Sequence, residues 1–338
     1  MNDDDKSADH RGQPGRRQRR RSIDGDRTEG RMQRLRIRAA WMYYVEQKTQ
    51  NAIAEVLDVG RITVVRLLAD ARARNEVRIS IQSPLAAITY LERQLELKFG
   101  IGSAIVAPLS DPDADPVPAI SAATGYYIST LVASGMRVGV GWGQTLFNSL
   151  PYLTNQKLEN FSVVSLLGGI SEARRYNPTE FAWQFAQTFQ GEGFLLPAPA
   201  IVDSARTKHA LIENCGLNEI FKLAETLDLA IVSVGTVKPA NSTYRVNLLS
   251  EDDRNSLVEC GAVGDLLFHY YNADAKLLDH PINHRVMSVG IEQIRKTPAR
   301  LLSSGGPGKI EALLAALKLI EPTIFITDEQ SAHRLLQD

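Results

Sequence analysis

"TQNAIAEVLDVGRITVVRLL", residues 49–68, places apolar side chains at helical spacing on both sides of a short polar break. Thr49 is a suitable N-cap for a helix that begins at Gln50. With Gln50 as the first position of a helix-turn-helix unit, Ile53, Leu57, Val59, Val64 and Leu67 fall on interior positions, and Ala54 falls where two helices cross too closely for a larger side chain. Asp58 occupies the turn position that usually prefers glycine, and aspartate tolerates the left-handed conformation better than most residues. Such a unit presents its second helix, about Arg61 to Arg74, to the major groove of DNA. Val64, Leu67 and Leu68 turn inward, which leaves Arg61, Ile62, Thr63, Val65 and Arg66 on the exposed face or its edges. Arginine donates a bidentate pair to guanine, Thr63 suits a thymine methyl, and Thr49 or Gln50 suits a phosphate. The same spacing also serves a helical hairpin that merely packs.

Upstream, "RLRIRAAWMYYVEQK" puts Leu35, Ile37, Ala40, Trp41, Tyr44 and Val45 on a broad helical stripe. Residues 1–30, with "RRQRRR" at Arg16 to Arg21, lack apolar periodicity and are expected to be a disordered basic tail. Residues 31–82 form the helix-turn-helix domain, and "EVRISIQ" (Glu76 to Gln82) alternates as a strand that would make a wing. Residues 83–100, "LAAITYLERQLELKFG" from Leu85, read as a linker helix with Leu85, Ile88, Leu95 and Phe99 near heptad spacing and Glu92 interrupting the seam. Two roles are open for it: an oligomer contact, or a surface helix docked on its own domain.

Charge divides along the same line. Residues 1–80 hold 18 Lys and Arg against 12 Asp and Glu, whereas residues 81–338 hold 20 against 27. A basic front segment is the electrostatic footprint of nucleic-acid contact, although a solvated charge run has the same composition. The longest apolar stretches, such as Ala312 to Leu317, are far shorter than the roughly 20 residues of a membrane crossing, and the basic N-terminus does not resemble a signal peptide, so a cytoplasmic protein without membrane contact is expected. Cys215 and Cys260 lie far apart with no metal-ligand spacing, and His269, His280 and His284 are irregular, so neither a disulfide framework, a zinc site nor another cofactor is expected.

From residue 101 to 338, short apolar strands alternate with helical segments, the pattern of an α/β domain with a mainly parallel, Rossmann-like sheet and ligands at the strands' carboxyl ends. Three strands leave through glycine: "GVGWGQTL" (Gly139 to Leu146, with Gly141, Gly143, Gln144 and Thr145), "LLGGI" (Gly168, Gly169), and "SSGGPGKIEALLAAL" (Ser303 to Leu317, with Gly305, Gly306 and Lys309). Each is either a tight turn or an anion cradle, and three at successive strand ends favour a phosphorylated small molecule. No nucleotide fingerprint is present. Asp265 in "CGAVGDLLF" is placed to accept hydrogen bonds from sugar hydroxyls, and Asp328 in "FITDEQSA" to cap the last helix.

These motifs, in this order from about residue 35 to the C-terminus, resemble the SorC-type (SorC/DeoR) family of sugar-responsive bacterial transcriptional regulators. Within it, "RIRAAWMYYVE" is similar to regulators of polyol use, the erythritol-catabolism repressor subgroup in particular. The resemblance implies an effector domain like the sugar-phosphate isomerases, assembly into homodimers or homotetramers, and operator binding, as a repressor of a sugar or polyol catabolic operon, controlled by a phosphorylated sugar or polyol. It further implies that the Gly141–Thr145 and Gly305–Lys309 loops hold the phosphate while Asn177 and Asp265 contact the remainder. "SSGGPGK" departs from the plainer glycine turn of many members. The competing class is a sugar-phosphate isomerase or deaminase; such an enzyme needs an acid/base partner for Asp265, and none lies adjacent to it in sequence.

Overall fold

The computed structural model describes residues 15–74, 76–77, 86–170, 177–237 and 249–337, with side chains from residue 30 onward. The chain divides into two compact units, residues 1–82 and 83–338.

The first unit is a helical hairpin braced by a long helix. α1 (Gly15–Tyr44) begins inside the segment whose composition suggested disorder; arginine and glutamine are good helix formers, and no proline follows until Pro84. α2 (Gln50–Leu57) and α3 (Arg61–Ala73) bury Ile53, Leu57, Val64, Leu67, Leu68 and Ala71 against Ala39, Ala40 and Met42 of α1. The turn between α2 and α3 rests on Asp58, left-handed at φ 49°, whose N–H donates to the carbonyls of Ala54 and Glu55. The buried stripe of α1 differs from the expected one: Ile37, Trp41 and Val45 are exposed, and Arg36 takes an interior place. Arg36 Nε and a terminal guanidinium nitrogen each donate to Glu76 at 2.5 Å, so the charge enters the interior paired while its aliphatic stem fills space. The wing expected after Glu76 lies largely outside the described residues.

The second unit opens with α4 (Ala86–Phe99). Among the described residues ten strands follow: β1 (Ser103–Ala107), β2 (Arg137–Val140), β3 (Ser162–Ser165), β4 (Glu192–Phe194), β5 (Leu229–Val232), β6 (Val234–Thr236), β7 (Gly264–Leu266), β8 (His269–Tyr271), β9 (Ala299–Ser303) and β10 (Ile324–Asp328). The helices between and after them are α5 (Val117–Leu131), α6 (Gln144–Phe147), α7 (Pro178–Thr188), α8 (Ala205–Asn214), α9 (Asn218–Ala224), α10 (Glu251–Glu259), α11 (Pro281–Arg285), α12 (Ile291–Lys296), α13 (Ile310–Ile320) and α14 (Glu329–Gln337). Seven strands form a wholly parallel sheet in the order β1-β10-β9-β5-β2-β3-β4. Every residue of β5 and β10 is buried, as a parallel sheet covered on both faces requires.

α4 docks on its own unit through Leu91 and Leu95. Glu92, which breaks the apolar seam in sequence, accepts the Val106 N–H at 3.0 Å, and Glu96 accepts the Ala104 N–H at 3.2 Å. β1 is an edge strand, and the two carboxylates cover its open hydrogen-bonding side. Partial burial holds the Glu92 carboxyl above the usual range even though the Val106 N–H opposes this.

A second, antiparallel sheet, β6-β7-β8, contains a hairpin with no turn signal in its sequence. Leu267 (φ 53°) and Phe268 (φ 65°) form its two-residue turn, both left-handed and both buried. Bulky residues hold this conformation only when packing over-determines it. Next to the turn, His269 Nε2 meets Ser288 Oγ at 2.9 Å in the interior. Burial, assisted by the Lys208 charge, pushes the His269 pKa down from 6.5 to about 4. The unfolded state then takes up a proton below pH 6.5 that the folded state refuses, so stability is full above that pH and is lost as pH falls toward 4. The loss is expected to reach about 3 kcal/mol near pH 4. Urea unfolding of wild type and His269→Gln across that range checks it, the variant showing the flatter profile.

Candidate functional site

The sheet winds outward from β2 in one direction through β3 and β4 and in the other through β5, β9 and β10. A crevice opens at the carboxyl ends of strands where winding reverses, and a cavity of about 280 Å³ lies there. Gly143, Gln144 and Thr145 line it after β2, Ser233 to Thr236 after β5, and Gly305 to Lys309 after β9, with Asp265, Trp142 and Asp115 to Val117 completing the wall. The loops after β2 and β9 are far apart in sequence and meet because β5 alone separates their strands.

Two glycines in this wall are required by the backbone. Gly143 has φ 130° and Gly306 has φ 104°, values that side chains rarely permit. Gly305 is required by space: a Cβ there would fall 2.1 Å from Asp328 Oδ2. That carboxylate accepts the Gly306 N–H at 3.0 Å and the Ser331 hydroxyl at 2.6 Å, while Oδ1 accepts the Ser331 N–H at 2.8 Å. Asp328 therefore caps α14 and also clamps the Gly305–Gly306 turn. Lys309 donates from Nζ to the Val234 carbonyl at 2.9 Å and to Ser304 Oγ at 3.3 Å, which turns its ammonium toward the cavity floor. Burial pulls its pKa below that of a free lysine, against the attraction of Asp265 and Asp115. Asp265, at the centre of β7, accepts the Phe268 N–H at 3.2 Å and so steadies the strained turn. The turn in turn supports the site, since Phe268 packs on Trp142 with ring centroids 5.0 Å apart.

Gly143, Gln144, Thr145, Asp265, Gly305, Gly306 and Lys309 are thus brought together. Gly141, Gly168, Gly169 and Asn177 do not line this cavity. Gly141 donates its N–H to the Ile231 carbonyl at 2.8 Å, and a Cβ there would meet Leu267 at 3.0 Å, so it is a packing glycine beneath the site. Gly168 and Gly169 donate their N–H groups to the carbonyls of Met287 and Ala198, each at 2.8 Å, and are not anion cradles. Asn177 caps α7 through the Thr179 N–H and donates to the Ile170 carbonyl at 2.7 Å, so it serves the backbone. Sequence reading missed Ser233, Thr236 and Asp115; Ser233 and Thr236 flank the glycine in "SVGT", and that alone was the visible signal.

In the first unit, a groove at the start of α2 and α3 is lined by Tyr43, Gln47, Lys48, Thr49, Gln50, Asn51 and Arg61. Thr49 Oγ1 accepts the Ala52 N–H at 3.3 Å, which leaves its hydroxyl proton for an outside acceptor. Arg61, Ile62, Thr63 and Arg66 are all exposed on α3. Lys48 and Asn51 join them without having been singled out in sequence.

Residues 83–337 match the family model Sugar-bind, described as "Putative sugar-binding domain". The chain belongs to this family. It is 30% identical over 308 residues to the deoxyribonucleoside regulator of Bacillus subtilis, covering 90% of this chain and 98% of that protein. It is 26% identical to the erythritol catabolism regulatory protein EryD of Brucella abortus, covering 89% and 96%. The full-length sorbitol operon regulator SorC from Klebsiella pneumoniae superposes with a TM-score of 0.69 at 24% identity, covering 90% of this chain and 98% of that one, which supports the fold. The chain is a SorC/DeoR-type transcriptional regulator and not an enzyme. No helix among the described residues is long and apolar enough to cross a membrane.

Proposed function

We propose that the regulator is a cytoplasmic repressor of a sugar or polyol catabolic operon, that it binds operator DNA as a homodimer or homotetramer, and that a phosphorylated sugar or polyol bound in the switch-point cavity controls it. The observation that carries this reading is the convergence of the Gly143–Thr145 and Gly305–Lys309 loops, with Asp265, on one cavity. Lys309 supplies a positive charge for the phosphate, and Asp265 and Asp115 supply acceptors for hydroxyl groups. Operator contact falls to Thr49, Gln50, Arg61, Ile62, Thr63 and Arg66, the last four exposed along α3. Effector binding shifts the balance between DNA-competent and incompetent states by its differential affinity for them.

Fluorescence anisotropy on DNA from upstream of the chain's own coding sequence, at fixed salt, with and without phosphorylated and free polyols, tests the reading. Specific binding that one phosphorylated compound changes is expected; specific binding that none changes would refute the effector assignment. Arg61→Ala and Arg66→Ala are each expected to weaken operator binding by about 1–3 kcal/mol without altering the melting temperature. Unchanged binding by both would mean that another face reads the DNA.

A further inference from the structure

We infer that Ile62 reads the 5-methyl group of thymine in the operator, a step that rests on the DNA-binding reading above and adds the base it recognises. At about 100° per residue, the buried side of α3, formed by Val64, Leu67, Leu68 and Ala71, centres on one azimuth, and Ile62 lies within about 10° of the opposite one. Its exposure, 72%, exceeds that of every other exposed large apolar side chain among the described residues. Ile62 stands in the first turn of α3, the end of a recognition helix that meets base edges.

The surroundings narrow the partner. Arg66, one turn along and about 40° from Ile62, and Ala69, about 20° from it, complete the outermost line of the helix, while Val65, 44% exposed, lies about 60° away on the side of Arg61. Arg61 lies about 100° from Ile62, at the edge of the exposed face. An outward isoleucine beside one arginine, with a second arginine at the edge of the face, fits a major groove, where phosphates lie at the rims and the one apolar group on the floor is the thymine methyl. Thr63, the sequence candidate for the methyl, lies nearer the side of the helix.

The test uses the full chain and a duplex recovered by the protein from a random-sequence pool, prepared once with thymine and once with uracil at every thymine position. Wild type is expected to bind the uracil duplex roughly tenfold more weakly, and Ile62→Ala, which favours helix and removes only an exposed side chain, to bind both duplexes alike. A shape change caused by uracil would weaken both proteins equally and would overturn the inference. Equal binding of both duplexes by wild type would also overturn it, with the DNA-binding reading left standing. Recovery of no specific duplex would overturn both. Ile62→Ala is further expected to leave the salt dependence of binding unchanged, whereas Arg61→Ala lowers its slope by about one phosphate contact.

Discussion

Asp328→Ala is expected to destabilise the larger unit by about 3–5 kcal/mol and to weaken the effector response. The carboxylate is fully buried and accepts three hydrogen bonds, from the Gly306 N–H, the Ser331 N–H and the Ser331 hydroxyl. Truncation leaves the Ser331 N–H and hydroxyl in the interior without their acceptor, while the Gly306 N–H keeps Ser331 Oγ at 2.7 Å, and a buried donor left unsatisfied costs more than the bond itself contributes. It also removes one of the two side-chain acceptors of the Gly306 N–H, leaving Ser331 Oγ, so the loop that carries Lys309 is loosened. Asp328→Asn keeps one acceptor oxygen and should fall between the two. Equilibrium denaturation measures the first effect and effector titration the second. A stability loss below about 1 kcal/mol would show that the clamp is not what holds the turn.

Lys309→Met tests the phosphate assignment. Lys309 is the only cation lining the cavity among the described residues, and burial already works against its charge. The variant also removes the donor to the Val234 carbonyl and Ser304 Oγ and the charge opposite buried Asp265, so some loss of stability is expected and effector binding is compared at a temperature where both proteins are folded. Loss of the ammonium–phosphate pair is expected to cost about 2–5 kcal/mol, which is about 30-fold or more in effector affinity, with DNA affinity of the free regulator preserved. The wild-type affinity should also carry a signature in pH. The bound phosphate favours the charged lysine, so affinity falls as pH rises through the Lys309 pKa, at a lower pH than a solvent lysine would set. Calorimetric titration across alkaline pH checks this, and an effector response that survives Lys309→Met would sink the phosphate assignment.

Both predictions concern features that were unequally visible in the sequence. Lys309 stood out beside its glycines, because a lysine after a strand-terminal glycine turn is a local pattern. Asp328 looked only like a helix cap, since its second role depends on Gly306, 22 residues away and brought near by the pairing of β9 with β10. Likewise, "GVGWGQTL" and "LLGGI" are equivalent as strings. They part only in three dimensions, where Gly143 bends into the cavity at φ 130° while Gly168 and Gly169 donate their N–H groups to neighbouring carbonyls. The β7–β8 hairpin was invisible because Leu267 and Phe268 are the opposite of turn residues, and burial holds them there.

By itself, the sequence determined what local rules govern. Apolar spacing set the two hairpin helices, Asp58 supplied the left-handed turn between them, and alternating strand and helix patterns announced the parallel α/β sheet. These features depend on periodicity and backbone preference within a few residues, so they are written along the chain. Packing in three dimensions decides which glycines line the cavity and which make room for a neighbour, which face of α1 is buried, and that Ser233, Asp265 and Lys309 share one wall. Those outcomes follow from strand order, which sets β2, β5 and β9 side by side, and order in a sheet is a property of the packed core rather than of any segment in it.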